Sequence, residues 1–158
     1  MFARPATPND SAEIARIYNE GIRDRIATFE TRARSVEEIR TWFDGKHPIV
    51  VVDEAGGVVG FAGTSIYRPR DCYASNAEFS VYVERSARGR GVGKAALVGL
   101  IDAARAAQFH KLISRVFPEN LASLRLVESV GFRRVGIYAQ HGRLDGVWRD
   151  VVIVELLL

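Results

Sequence analysis

Arg88-Gly89-Arg90-Gly91-Val92-Gly93-Lys94 stands between an alternating strand-like run, Ala77–Val83, and a long stretch of helical periodicity, Gly91–Ala107. Glycines at 89, 91 and 93 let the backbone approach a ligand closely. The first N–H groups of a helix lack intrahelical partners and sit at the positive end of its dipole. A glycine-rich strand-to-helix loop therefore reads as a phosphate site or, taken alone, as a structural turn. Arg88, Arg90 and Lys94 add positive charge around it. Two nucleotide-loop patterns do not fit. A G-x-x-x-x-G-K-[ST] loop would need glycine at Arg88 and Ser or Thr at Ala95. A G-x-G-x-x-G fingerprint follows its strand directly, whereas this loop reads G-x-G-x-G and starts about five residues beyond the strand.

Working outward, Phe2–Arg4 reads as a short strand. Asp10 and Glu13 have capping-box spacing ahead of Ile14, Ile17, Tyr18, Gly21 and Ile22, which predicts a helix from about Ser11 to Arg25. Residues 27–32 break the pattern. Ser35 and Glu38 open a second helix with Val36, Ile39 and Phe43 on one stripe, ending near Asp44-Gly45. Ile49–Val52 and Val58–Ser65 form a hairpin around Glu54–Gly57. After a loop through Pro69 to Asn76 comes Ala77–Val83. Ala77, Phe79, Val81 and Val83 share one face; Glu78, Ser80 and Tyr82 share the other. Beyond the glycine loop, Leu97, Leu100, Ile101 and Ala104 give the long helix a core stripe. Lys111–Phe117 is a strand and Asn120–Ser129 a helix stopped at Gly131. Arg133–Gln140 and Val147–Leu157 are two last antiparallel strands. The order β-α-α-β-β-β-α-β-α-β-β predicts one α+β (mixed α/β) domain over residues 1–158, around a central, mostly antiparallel sheet flanked by helices.

Arg88, Gly91 and Gly93 also satisfy R-x-x-G-x-G, which resembles the pyrophosphate loop of the GNAT superfamily of N-acetyltransferases. The segment Pro118-Glu119-Asn120-Leu121-Ala122-Ser123 resembles that superfamily's second cofactor-contact segment, and Gly131-Phe132 resembles its end. The resemblance implies a GNAT-type fold and acetyl-CoA as acyl donor. It further implies that backbone groups from Arg88 to Lys94 hold the pyrophosphate. Val81 and Val83 would pair with the pantetheine arm like an added strand, and Asn120 and Ser123 would hydrogen-bond the cofactor. From the residues alone, Asn120 also reads as a helix cap and Ser123 as a surface residue.

A narrower resemblance spans nearly the whole chain. Ile17-Tyr18-Asn19, Ala27-Thr28-Phe29-Glu30, Trp42-Phe43, Tyr67-Arg68-Pro69-Arg70 with Tyr73, Glu78–Val83 and Gly146–Val151 resemble the phosphinothricin N-acetyltransferase group. Ile-Ala-Thr-Phe-Glu-Thr with Tyr-Arg-Pro-Arg resembles its arsinothricin-resistance branch. This implies acetylation of the α-amine of a small glutamate-like amino acid of the phosphinothricin, arsinothricin, methionine sulfone or methionine sulfoximine type, giving resistance to it. Glu78 matches the group's base position; a carboxylate there can deprotonate the ammonium. Arg68 and Arg70 can bind carboxylate, phosphinate or arsinate through paired hydrogen bonds. Tyr73 adds a donor, and Phe29 walls the aliphatic part. There are two departures. Val127 stands where many GNAT enzymes carry a tyrosine that protonates the leaving thiolate. Asp145 stands where some phosphinothricin enzymes have histidine, leaving His141 as a surface or hairpin residue.

The remaining composition sets bounds. A formal charge of +3 over 158 residues is too mild, without a basic tract, to imply nucleic acid. No apolar run approaches the ~20 residues that span a bilayer, and no secretory pattern opens the chain. One cysteine, Cys72, permits no internal disulfide. These point to a cytoplasmic protein whose partner is a small-molecule substrate. His47, His110 and His141 lack ligand-like spacing, so no metal is expected. A homodimer is an open expectation, with the apolar C-terminal strand pairing across the interface. Two other functions stay open: acetylation of a protein N-terminus or polyamine, and non-catalytic acetyl-CoA sensing. Arg68 and Arg70 argue against a polyamine, which would want acidic residues there.

Overall fold

The computed structural model describes residues 1–158. The chain runs β1 (Phe2–Pro5), α1 (Ser11–Asp24), α2 (Val36–Arg40), β2 (Ile49–Glu54), β3 (Gly57–Ile66), β4 (Asn76–Val83), α3 (Val92–Ala106), β5 (Lys111–Val116), α4 (Leu121–Ser129), β6 (Arg133–Leu144) and β7 (Val147–Leu157). The strands form one sheet in the order β1-β2-β3-β4-β5-β7-β6. Every pairing is antiparallel except β4 with β5. This is the α+β architecture that the element order predicts.

Strand β2 explains the layering. Its continuous β-branched run is buried on both faces, as apolar runs without alternation require. Val50 and Val52 face α3 and α4 in a cluster with Leu97, Leu100 and Phe79. Ile49 and Val51 face α1 and α2 in a cluster with Ile14, Ile17, Ile39 and Phe61. The expected α3 stripe is buried, at 0–5% exposure for Leu97, Leu100, Ile101 and Ala104. Each such aliphatic side chain contributes roughly 1.5–3 kcal/mol of burial free energy.

One irregularity of the sheet makes the site. The β4–β5 pairing covers only Asn76–Glu78 against Lys111–Ile113. Beyond Glu78 the parallel strands part, so β4 from Phe79 onward has no ladder partner on its β5 side. The Ser114 hydroxyl donates to the Phe79 carbonyl at 2.9 Å, pinning the point of divergence. Because both strands run the same way, the gap opens at their C-terminal ends, beside the start of α3.

Four expectations are corrected. The Asp10–Glu13 box does not form: Asp10 accepts from Arg4 at 2.9 and 3.0 Å and from the Thr7 N–H at 2.8 Å, while Glu13 pairs with Arg16. Helix α2 stops at Arg40, because Thr41 returns its hydroxyl to the Glu38 carbonyl at 2.6 Å and the next bonds tighten to i−3. Its own box, Ser35 with Glu38, does form. Strand β6 continues past Gln140 to Leu144, because Asp145 (φ 50) and Gly146 (φ 79) close a tight hairpin, the Asp-Gly signature of a two-residue turn. The C-terminal strand β7 is not an edge, since β5 and β6 take both its sides. The free edges belong to β6 and β1.

Candidate active site

The start of α3 meets the gap between β4 and β5. Gly91 sits just before the helix at φ 85, a left-handed conformation that costs a side-chain-bearing residue about 1–2 kcal/mol. The first intrahelical bond is Ala95 N–H to the Gly91 carbonyl. The amides of Val92, Gly93 and Lys94 precede it and face outward for an anion. A cavity of about 310 Å³ lies here, lined by Val81, Val83, Arg88, Gly89, Gly91, Val92, Gly93, Lys94, Asn120 and Ser123 among others. Arg88 donates to the Val83 carbonyl at 3.2 Å and lies 2.8 Å from Asp24. Hydrogen bonds from Arg85, aided by Arg88 against the cost of burial, hold the Asp24 carboxyl below the usual carboxylate range. Arg90 differs from its neighbours: its side chain pairs with Glu54 at 2.7 Å and does not line the cavity. Asn120 caps its helix and also borders the cavity. Its side-chain carbonyl accepts from the Ser123 N–H at 3.2 Å, capping α4, while its amide donates to the Ile26 carbonyl and lines the cavity.

A second cavity of about 600 Å³ adjoins the first and shares Ala27, Val81, Tyr82, Asn120, Ser123 and Leu126 with it. Its walls include Tyr18, Phe29, Trp42, Glu78, Arg115 and Phe117. Phe29 packs edge-on to Phe117 at 4.9 Å. It also packs against Gly142, where a Cβ would come within 2.8 Å of the ring. The Phe29 loop is fastened on three sides: Arg25 to Asp145 at 2.9 Å, Asn120 to Ile26, and Asn19 to the Arg34 backbone at 2.8 and 2.9 Å. Tyr82 lies where the cavities meet, and burial pushes its hydroxyl well above the ordinary phenol range. It therefore stays protonated.

Glu78 stands where β4 leaves β5. Arg115 Nη2 donates to both Glu78 carboxylate oxygens at 3.0 Å, and Arg68 lies 3.7 Å away. Arg70 and Tyr73 are placed elsewhere. Arg68 stacks over Tyr67, Tyr67 meets Tyr73 edge-on, and Arg70 lies over Tyr73. None of Arg68, Arg70 and Tyr73 lines the larger cavity, although Arg68 lies beside Glu78. Val127 is buried in its wall. His141 packs on Tyr138 and Asp145 pairs with Arg25, both away from the cavity lining. Sequence reasoning did not single out Arg115, Tyr82, or the Glu30–Arg34 pair that lines the same cavity at 2.5 Å. An arginine near the end of the strand Lys111–Val116 was the available signal for Arg115. No group of three or more His, Cys, Asp or Glu gathers to hold a metal.

This chemistry consists of an amide-lined anion cradle, a strand edge open beside it, and a carboxylate among guanidinia in an aromatic-walled cavity. It is that of an acyl transferase with separate donor and acceptor sides. The family model of the acetyltransferase (GNAT) domain matches residues 1–133, and the chain belongs to that family. It is an enzyme that uses acetyl-CoA. It is 35% identical to the phosphinothricin N-acetyltransferase of Streptomyces coelicolor, over 96% of this chain and 93% of that one. It is 32% identical to an L-methionine sulfoximine/L-methionine sulfone acetyltransferase of Salmonella typhimurium, over 100% and 95% of the two chains. Among solved structures it is similar to a GNAT superfamily phosphinothricin acetyltransferase from Sinorhizobium meliloti in complex with acetyl-CoA. The TM-score is 0.90 at 32% identity, covering 99% of this chain and 87% of that one. The residues lining the smaller cavity suit that donor: main-chain amides for the pyrophosphate and an unpaired strand edge for the pantetheine amides.

Proposed function

We propose that this enzyme acetylates the α-amine of a small glutamate-like amino acid carrying a phosphinate, arsinate, sulfone or sulfoximine group, and so gives resistance to such compounds. The observation that carries this reading is Glu78, a carboxylate set between two guanidinia in the wall of the larger cavity. Acetyl-CoA supplies the activated thioester when bound. Glu78 takes a proton from the acceptor ammonium, directly or through water, and the freed amine lone pair attacks the thioester carbonyl. The carbon–nitrogen bond forms, the carbon–sulfur bond breaks, the sulfur leaves as thiolate with its electron pair, and the nitrogen's surplus proton is released to water. Val127 has no proton to give, so departure as thiolate fits this wall. Arg68 offers charge for the acceptor's distal anion, Arg70 and Tyr73 back it through the stack on Tyr67 outside the cavity wall, and Phe29 covers its methylenes. Sequence likeness to the phosphinothricin and methionine sulfone enzymes supports the same acceptor class. Exposed apolar residues on the β6–β7 hairpin, including Ile137, Tyr138, Val147 and Trp148, further support a homodimer. The test is thiol release from acetyl-CoA with phosphinothricin, arsinothricin, methionine sulfone and methionine sulfoximine. Turnover of at least one is expected, and release at background with all four sinks the proposal.

A further inference from the structure

We infer that Arg115 determines acceptor specificity by binding the α-carboxylate of the amino acid whose amine Glu78 deprotonates; this rests on the amino-acid reading above. The Arg115 side chain touches Glu78 through Nη2 alone and makes no other hydrogen bond in the protein. A guanidinium carries five N–H donors, so the Nε N–H and the two Nη1 N–H groups of Arg115 are uncommitted. Its side chain is 43% exposed and lines the larger cavity.

The chemistry of an α-amino acid then constrains the pose. Its ammonium and carboxylate share one carbon, so an ammonium docked on Glu78 carries its carboxylate to whatever neighbours Glu78. Two groups do, Arg115 at 3.0 Å and Arg68 at 3.7 Å. Arg68 already donates to the Tyr67 carbonyl and stacks on the Tyr67 ring, on the loop side. Arg115 rises from β5, beside the Ser114–Phe79 bond that pins the splay. A side chain on a pinned strand holds a ligand group in tighter geometry than one on a loop. Charge balance points the same way. Glu78 with two guanidinia leaves one positive charge in excess, and a zwitterionic acceptor leaves that balance unchanged because its carboxylate offsets its own ammonium. An amine lacking that carboxylate raises the excess to two, beside Arg115, and leaves the free guanidinium donors unpaired. The pair Glu78–Arg115 is therefore a zwitterion receptor that rejects simple amines.

The experiment compares L-methionine sulfone with its α-carboxamide as acceptors, measuring kcat and KM by thiol release for the wild type, Arg115→Gln and Arg115→Lys. Calorimetric binding of acetyl-CoA reports the fold of each variant. The wild type is expected to prefer the acid by about 10- to 100-fold in kcat/KM, the worth of charge-assisted hydrogen bonds. In Arg115→Gln the KM for the acid rises and the preference collapses to within about threefold, with acetyl-CoA affinity unchanged. Arg115→Lys, which keeps charge without the fork, falls between. It carries the test alone if the glutamine variant does not bind acetyl-CoA. A preference absent in the wild type, or unchanged in the variants, overturns the proposal. So does an equal fall in kcat for both acceptors, which would make Arg115 only a positioning residue for Glu78. A wild type that turns over neither methionine sulfone nor methionine sulfoximine nor phosphinothricin instead removes the amino-acid reading, and the proposal with it.

Discussion

The donor and acceptor sides of the cleft are built from different materials. The donor cavity is a main-chain structure: consecutive amides at the start of α3, an open edge of β4, and glycines that keep side chains out. The acceptor cavity is a side-chain structure, drawn from α1, the Phe29 loop, β4, β5, α4 and β7. Amides read a pyrophosphate with little dependence on which side chains flank them. A carboxylate and guanidinia read an acceptor only when several distant segments bring them together. The donor side should therefore be sensitive to backbone conformation and the acceptor side to side-chain chemistry.

Glu78→Gln is the sharpest way to break that comparison, because it changes one atom type on the acceptor side alone. A fall in kcat of about 10²- to 10⁴-fold is expected, with acetyl-CoA affinity nearly intact; an unchanged rate would remove Glu78 as base. Gly91→Val tests the donor side. Left-handed strain of about 1–2 kcal/mol should shift the start of α3 and raise the KM for acetyl-CoA about tenfold. Acceptor KM should hardly move, and a change confined to the acceptor would contradict the division. Phe29→Ala removes an aromatic wall, so acceptor KM should rise several-fold. Global stability should fall by about 1–2 kcal/mol, less than the ~3–5 for a fully buried phenylalanine; denaturant unfolding measures the second. The smallest effect concerns the tie between the sides. Asp24, at the end of α1, binds Arg85 and Arg88 beside the donor loop. Its folded carboxyl is depressed, so its stabilisation is complete above the unfolded value of ~3.9. It is lost as pH falls through the lower folded value. Melting temperature should drop below about pH 4, and Asp24→Asn should flatten that drop.

These two materials also account for what could be read in advance. The glycine-rich loop is contiguous in sequence, so its place at the start of α3 was legible directly from Arg88, Gly91 and Gly93. The element order was equally legible, because apolar periodicity is local. Boundaries were less so where side chains intervene: Thr41 ends α2 early, and Asp10 turns from capping α1 to binding Arg4. On the acceptor side, Glu78 and Phe29 were legible through resemblance, but their surroundings were not. Arg115 meets Glu78 only because β4 and β5 run parallel for three residue pairs and then part.

By itself, then, the sequence determined the family, the layered α+β fold and the glycine-rich loop at the start of α3. Each depends on short-range patterns: periodicity, glycine spacing and the dipole of a helix end. Tertiary structure alone decided that β7 is interior, that Arg90 turns to Glu54 instead of the donor cavity, and that Glu78 shares its carboxylate with Arg115. Those outcomes depend on strand register and on which long side chains reach each other across the sheet. Neither is encoded in any one segment.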